Sequence, residues 1–179
     1  MNYPSFFNTK YSLNLFNLEE NFKFISELYL KQNLPKVLMF TGNKGSGKST
    51  LVNHFLYSIF DKVNYNNKTF TISENSSFLK QFQNNIFSNI IYINGANYKT
   101  VSIDDIRNLK KNILQTTISK KDRFIIFDDI ELLNQNSLNA LLKVIEEPSQ
   151  RNYFILINNK RKSLLKTIKS RALEVKIIL

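Results

Sequence analysis

The stretch that decides the fold of this 179-residue chain is residues 42–49, Gly42-Asn43-Lys44-Gly45-Ser46-Gly47-Lys48-Ser49. It matches the complete pattern G-x-x-x-x-G-K-[ST] of a phosphate-binding loop. The apolar run at residues 37–40 precedes it and predicts a buried strand, and residues 50–56 follow it and predict a helix. Because strand, glycine loop and helix form the context in which this pattern works, we interpret it as a nucleotide-binding loop rather than a chance glycine-rich turn.

The residues of this loop have separate expected roles. Its glycines allow the backbone to fold around an anion, so that successive N–H groups point at phosphate oxygens. The helix predicted to begin at Lys48 adds the positive end of its dipole. Lys48 is expected to reach the β- and γ-phosphates, and the Ser49 hydroxyl is expected to be a ligand of Mg²⁺. The residues expected to bind ATP are Gly42, Asn43, Lys44, Gly45, Ser46, Gly47, Lys48, Ser49 and Thr50.

The composition indicates one globular domain without disulfides. The hydrophobic content is 42%, and no apolar run approaches the roughly 20 residues that a membrane-spanning helix needs. The amino terminus lacks a basic region followed by a long apolar stretch, so a secretory signal is not expected. The chain has no cysteine, which excludes thiol chemistry and cysteine-ligated zinc and suits a cytoplasmic protein.

The chain is strongly basic, with a net charge of +11 from 25 Lys+Arg and 14 Asp+Glu residues. A basic domain can bind the phosphate backbone of nucleic acid. Abundant Lys, Asn, Ile and Phe would also result from an AT-rich genome, whatever the function. Charge therefore leaves both explanations open.

Alternating strand and helix patterns predict an α/β fold with an open, mostly parallel sheet and helices on both faces. Residues 1–17 predict an irregular lead-in, and residues 18–179 predict a single nucleotide-binding domain. Residues 61–89 are expected to be a surface insertion. The patterns predict strands at residues 37–40, 69–72, 90–93, 124–127, 153–157 and 173–179. They predict helices at residues 19–30, 48–56, 78–87, 102–114, 134–147 and 164–170.

Polar residues follow two of the predicted strands. Asp128 ends an unbroken apolar strand downstream of the glycine loop, which is the Walker B arrangement, and is expected to hold Mg²⁺ mostly through water. Asp129 occupies the position that often carries the glutamate that orients the attacking water. Its side chain is one methylene shorter, so the sequence favours binding of nucleotide over hydrolysis.

Asn159 and Arg171 are weaker candidates from their own residue types. Asn159 ends the next strand and can hydrogen-bond a γ-phosphate or the attacking water, although Asn-Asn after a strand is usually a turn. Arg171 follows a short helix, and its residue type alone predicts an ordinary surface arginine. A resemblance to a known family, given next, favours a functional role for both residues.

Residues 137–148, SLNALLKVIEEP, closely resemble the N-x-x-x-N-A-L-L-K-x-x-E-E-P signature of the bacterial DNA polymerase III clamp-loader ATPases, with Asn134 or Gln135 near its upstream polar position. Residues 168–171 resemble that family's S-R-C motif, with Ala172 in place of the cysteine. Residues 100–107 resemble its I-x-[VI]-[DE]-x-[IV]-R segment. The likeness extends from about residue 18 to the end of the chain. It favours the delta-prime branch, with the gamma/tau branch second.

The resemblance implies an AAA+ P-loop domain in a hetero-oligomeric ring of clamp-loader subunits. Such a ring opens the sliding clamp and places it on primed DNA, using ATP and Mg²⁺. By the same resemblance, Asn159 is the sensor residue and Arg171 is an arginine finger. Such an arginine acts in trans, because it reaches the nucleotide of a neighbouring subunit. Asp129, Asn159 and Arg171 are therefore the expected catalytic residues, and no membrane partner is implied.

Three departures from the family modify these expectations. Asp129 replaces a glutamate, which implies weak or absent ATPase activity. The four zinc-binding cysteines of many members are missing, so no zinc is expected. The helical lid and the C-terminal oligomerisation domain of the family are expected to be absent from this sequence. Three alternatives stay open: an active gamma/tau-type ATPase, a stand-alone P-loop kinase, and a scaffold whose loop no longer binds nucleotide.

Overall fold

The computed structural model describes residues 10–83, 87–96, 121–148 and 150–178. The chain divides into two compact units. The first contains residues 1–34 and 47–87 with the last residue, and the second contains residues 35–46 and 88–178. The boundary between the units falls inside the glycine loop, between Ser46 and Gly47. The predicted helix at residues 102–114, with the motif at residues 100–107, lies outside the described residues.

The second unit is built on a parallel sheet. Its five described strands are β1 (Val37–Thr41), β4 (Ile90–Asn94), β5 (Arg123–Asp128), β6 (Asn152–Asn158) and β7 (Leu173–Lys176). Their order is β4-β5-β6-β1-β7, and every neighbouring pair is parallel. This confirms the expected α/β fold with a mostly parallel sheet. The unbroken apolar runs explain the arrangement, because β1 and β5 are buried along their whole length.

The described part of this unit also contains two α-helices, α4 (Gln135–Ile145) and the single turn α5 (Lys166–Lys169), and a 3-10 turn at Ile130–Leu132. Asn134 caps α4, because its side-chain oxygen accepts a 2.8 Å hydrogen bond from the backbone N–H of Ser137. Leu138 and Leu141 of α4 and Ile168 of α5 share one apolar core with alternate residues of the strands. The sequence block that carried the family resemblance is therefore, in large part, a packing helix.

The first unit contains α1 (Glu19–Leu30), α2 (Lys48–Phe60), a short hairpin of β2 (Tyr65–Asn66) and β3 (Thr71–Ile72), and α3 (Ser77–Gln83). The expectation of a surface insertion at residues 61–89 is wrong, because this segment supplies part of the unit's core. Tyr65, Ile72 and Phe78 are buried, and the Phe78 ring meets that of Tyr57 at 4.6 Å between centroids. Burial of these aromatic side chains removes a large apolar surface from water, which an exposed insertion would leave in contact with solvent.

Candidate nucleotide-binding site

The carboxyl ends of the parallel strands define one edge of the sheet in the second unit. Strand register sets Thr41 at the end of β1 opposite Asn158 at the end of β6, and Asp128 at the end of β5 opposite Asn94 of β4. Ligands of open α/β sheets bind outside this edge. The glycine loop leaves β1 here, so its first half and the candidate acids lie at the same edge, as the sequence predicted.

The first half of the loop requires glycine for two reasons. Gly42 is buried, and a Cβ added to it would lie 2.5 Å from the carbonyl oxygen of Ile177. The backbone N–H of Gly42 donates a 3.2 Å hydrogen bond to the Asn158 carbonyl. Gly45 has φ +86°, a left-handed conformation that other residues rarely adopt. Asn43, Lys44 and Gly45 are exposed and Ser46 is buried. The backbone between Gly42 and Ser46 is therefore tightly turned, as in a cradle for an anion.

The second half of the loop leads into α2. Gly47 has φ +73° and precedes the helix, and its carbonyl accepts the first helical hydrogen bond, from Leu51 N–H at 2.8 Å. Lys48 opens the helix with only 2% of its surface exposed, whereas Ser49 and Thr50 are half-buried. The helix thus begins where the sequence predicted, with its first N–H groups in the turn that follows Gly47.

Asp128 is a buried carboxylate with several hydrogen-bond donors. It is 3% exposed, accepts a 2.6 Å bond from the Tyr92 hydroxyl at Oδ2, and accepts a 2.8 Å bond from the Asp129 N–H at Oδ1. Burial raises the pKa of Asp128, and the neighbouring Asp129 charge adds to this, while the Tyr92 hydrogen bond opposes it. A carboxylate that burial disfavours in its charged form is a suitable place for a cation to neutralise.

Asp129 turns the chain away from the strand and is held by two side chains. It has φ +50°, an uncommon value for a residue other than glycine, and is 5% exposed. Its Oδ1 accepts a 2.7 Å hydrogen bond from the Asn159 amide and lies 3.5 Å from Nη2 of Arg161. The Asn159 amide also approaches Asp128 Oδ1 at 3.4 Å. The structure therefore brings Asp128, Asp129 and Asn159 together.

Three residues of this cluster escaped the sequence interpretation: Tyr92, Glu131 and Arg161. Tyr92 is the one hydroxyl in the run IIYI, and a buried hydroxyl needs a partner. Glu131 is a carboxylate among apolar neighbours and is 3% exposed. The signals at Tyr92 and Glu131 can be found in the sequence, but neither of them predicts which residue is the hydrogen-bond partner.

The described contacts of the Arg171 side chain are with Glu146 and Thr167 and not with this cluster. Its guanidinium forms a 2.6 Å ion pair with Glu146, at the end of α4, and donates from Nη1 to the Thr167 carbonyl at 3.0 Å. Both side chains of the pair are well exposed to solvent. An exposed arginine is compatible with a role in trans, which stays a prediction.

The donor chemistry fits magnesium held jointly by protein and nucleotide. Within residues 10–83, 87–96, 121–148 and 150–178, no cluster of three or more His, Asp or Glu side chains is arranged to hold a metal ion. Mg²⁺ is usually bound by one or two protein oxygens together with phosphates and water rather than by a cage of side chains. The buried carboxylate of Asp128 is an oxygen ligand of this chemical kind.

A parallel α/β sheet with a glycine loop after β1, an aspartate at the end of β5 and an asparagine after β6 defines a P-loop NTPase domain of the AAA+ type. The fold resembles that of a DNA polymerase III gamma subunit-related protein from Thermotoga maritima. The TM-score is 0.56 at 21% identity, over 91% of this chain and 46% of that chain.

The chain belongs to the family described as "DNA polymerase III, delta subunit", whose model matches residues 18–178. This confirms the resemblance to bacterial clamp-loader subunits found in the sequence. None of the helices in the described part of the chain is both long and apolar enough to cross a membrane.

Curated relatives come from both branches of the clamp loader. The chain is 26% identical over 155 residues to the DNA polymerase III subunit gamma of Buchnera aphidicola subsp. Schizaphis graminum, a match covering 87% of this chain and 41% of the relative. It is 32% identical over 75 residues to subunit delta' of Buchnera aphidicola subsp. Baizongia pistaciae, covering 42% of this chain and 22% of the relative. The chain thus spans less than half the length of these relatives.

Proposed function

We propose that this chain is a delta-prime-like clamp-loader subunit of bacterial DNA polymerase III. It binds ATP and supports ATP-dependent loading of the sliding clamp onto primed DNA, in the cytoplasm and within a ring of other subunits. The observation that carries the proposal is the convergence of Asp128, Asp129 and Asn159 at the sheet edge where the glycine loop leaves β1. Membership of the family supports the role in replication.

Residues 42–50 would bind the triphosphate. The tight turn at Gly42 and the left-handed Gly45 and Gly47 support a backbone whose N–H groups hold phosphate oxygens. Lys48 would offset the charge of the β- and γ-phosphates. Magnesium, when bound, would neutralise further phosphate charge, with Ser49 and Asp128 as its protein ligands, Asp128 mostly through water.

Binding is favoured over rapid hydrolysis. Asp129 would be the residue that orients the attacking water, but its carboxylate is already a hydrogen-bond acceptor for Asn159. Asn159 would sense the γ-phosphate from the same position. A general base must lie within hydrogen-bond distance of the water whose proton it accepts. Aspartate is shorter than glutamate, and Asp129 already accepts a hydrogen bond, so it is a poor general base.

Arg171 would act on a neighbouring subunit. Its ion pair with Glu146 is solvent-exposed, and such pairs contribute at most about 1 kcal/mol, so exchanging this partner for a phosphate costs little. Arg171→Ala should leave nucleotide binding by this chain unchanged and should lower ATP turnover of the reconstituted ring. Unchanged turnover of the ring would contradict the role in trans.

Equilibrium binding of a fluorescent ATP analogue tests the proposal. Lys48→Ala should weaken binding by about 10- to 100-fold, since it removes a charged contact to phosphate. Lys62→Ala removes the same charge from an exposed position after α2 and should leave affinity unchanged. Equal affinities for the unmodified protein and Lys48→Ala, or no binding by either, would contradict the proposal.

An active gamma/tau-type ATPase is the second candidate. The gamma-subunit relative supports it, because that match covers 87% of this chain. Steady turnover of ATP by the purified chain, without other subunits, would favour this candidate. Binding without turnover would favour the delta-prime-like role.

A further inference from the structure

The loop that follows β6 is attached to the turn that follows β5 by Glu131. This buried carboxylate accepts the Asn159 backbone N–H at 3.2 Å on Oε1 and 3.1 Å on Oε2, and the Arg161 backbone N–H at 3.3 Å on Oε1. Hydrogen bonds to an ionised acceptor are stronger than neutral ones. Glu131 therefore fixes the backbone from which Asn159 and Arg161 extend their side chains.

Both of these side chains reach the same oxygen of Asp129. The Asn159 amide donates to Oδ1 at 2.7 Å, and Nη2 of Arg161 lies 3.5 Å from it. Because Asp129 is almost completely buried, its charge needs compensation, and Arg161 supplies that compensation from within the chain.

The backbone at Asp129 also limits where its carboxylate can go. Asp129 has a left-handed φ of +50°. Its carbonyl oxygen also packs closely against Gly95, because a Cβ on Gly95 would lie 2.3 Å from that oxygen. The turn cannot shift toward β4 without meeting that strand's end. The carboxylate is thus directed by its backbone and held by its two side-chain partners.

We propose that Arg161, oriented by Glu131, is a positioning residue that keeps Asp129 paired within its own chain, so that bound nucleotide is hydrolysed slowly. This inference rests on the proposed function of ATP binding. A base for hydrolysis accepts a proton from the water whose oxygen bonds to the γ-phosphorus as the bond to the β–γ bridging oxygen breaks. Asp129 Oδ1, already occupied by an amide and near a guanidinium, is a poor acceptor for that proton.

The pairing itself is measured in the nucleotide-free protein. Arg161→Gln, Asp129→Asn and the double variant form a thermodynamic cycle, followed by thermal unfolding. Arg161→Gln should lower Tm by roughly 2–4 °C in the unmodified protein and by clearly less when Asp129 is already Asn. Arg161→Lys should recover part of the loss. Strictly additive effects would overturn the inference.

The catalytic consequence is measured as ATP turnover with the dissociation constant of a fluorescent ATP analogue. Arg161→Gln should raise turnover roughly tenfold, below the ~10²-fold that a well-placed base contributes, because aspartate is short. Nucleotide affinity should change by no more than about twofold. Adding Asp129→Asn should abolish the gain, and Glu131→Gln, which keeps one acceptor oxygen, should give a smaller gain.

Lys162→Gln is the matched control, because it removes one positive charge from an exposed position of the same loop. It should alter neither turnover nor the thermodynamic cycle. Turnover of Arg161→Gln equal to that of Lys162→Gln, with nucleotide bound in both, would overturn the inference while leaving the proposed function intact. If neither the unmodified protein nor any variant bound nucleotide, the proposed function would be overturned instead, and with it the effect of Arg161 on hydrolysis.

Discussion

The Tyr92 hydroxyl donates a 2.6 Å hydrogen bond to Asp128 Oδ2, joining the neighbouring strands β4 and β5. Both residues are buried, so the bond is shielded from water, and its removal takes the Tyr92 donor from a buried carboxylate that keeps its donors at Oδ1.

Tyr92→Phe should therefore destabilise the protein at neutral pH by about 1.5–3 kcal/mol, the range for a hydrogen bond to a charged group. Urea unfolding at pH 7 measures this. In an Asp128→Asn background the loss should be clearly smaller, since the acceptor no longer carries a charge. Equal losses in the two backgrounds would contradict a charge-assisted bond.

The ionisation of Asp128 should make stability depend on pH in a specific direction. Burial raises the pKa of Asp128 above its ordinary value of 3.8. The stability that the protonated group contributes is therefore complete below pH 3.8 and is lost as pH rises through the folded-state pKa. We expect the free energy of unfolding of Asp128→Asn, relative to the unmodified protein, to increase between pH 4 and pH 7.

Each unit of pKa shift corresponds to about 1.4 kcal/mol of this difference. Urea unfolding of both proteins at a series of pH values measures it. The two proteins share every other titrating group, so the difference reports Asp128 together with its coupling to the neighbouring Asp129 charge. A difference that is constant, or that shrinks as pH rises, would contradict the assignment.

His54 should give the opposite dependence in the first unit. It is the only histidine in the chain and is fully buried, and burial lowers its pKa from 6.5 to about 4. Its neutral ring accepts from the Tyr65 hydroxyl at Nδ1 and donates from Nε2 to the Ser12 carbonyl, at 3.1 and 3.0 Å. A lowered pKa contributes stability above pH 6.5 that is lost as pH falls through about 4.

The loss of unfolding free energy between these two pH values should be on the order of 3 kcal/mol. His54→Gln can still donate to Ser12 but does not titrate, so its stability should fall less over the same interval. Parallel pH curves for the two proteins would show that His54 is not the titrating group.

Two glycines of the loop should respond to substitution in opposite orders. At Gly42 a new Cβ meets the Ile177 carbonyl oxygen at 2.5 Å, so the cost should increase with side-chain size, from about 1–3 kcal/mol for Gly42→Ala to more for Gly42→Asn. At Gly45 no described residue other than the two chain neighbours has an atom within 4 Å of a Cβ, and the cost comes from φ +86° alone.

Asparagine tolerates the left-handed region better than alanine, so Gly45→Asn should be less destabilising than Gly45→Ala, which should cost about 1–2 kcal/mol. Urea unfolding of the four variants gives the two orders. The same order at both positions would contradict the separation of close approach from backbone strain.

Local sequence patterns were sufficient for most of the fold. Unbroken apolar runs predicted β1, β5 and β6, because a strand buried on both faces of a parallel sheet has no polar face to display. Helical spacing predicted α1 over the same bounds that the structure shows. The segment at residues 61–89 was misjudged, because its apolar residues are isolated and their burial depends on partners such as Tyr57 that only packing supplies.

The candidate site was only partly predictable. Asp128, Asp129 and Asn159 were identified because each follows a strand, and parallel strands end at one edge. Tyr92 is 36 residues from Asp128, and Arg161 is 32 residues from Asp129 by residue number. No local pattern encodes such pairings, since they follow from strand order and register.

By itself, the sequence determined the glycine loop, the buried strands and the membership of the clamp-loader family, because these depend on residue type at short spacing. Tertiary structure alone decided that Asp129 is held by Asn159 and Arg161, that Glu131 anchors their loop, and that Arg171 pairs with Glu146. The physical reason is that a charged side chain pairs with a group that the folded backbone brings within about 4 Å. The distance between two residues in the fold cannot be calculated from their separation along the chain.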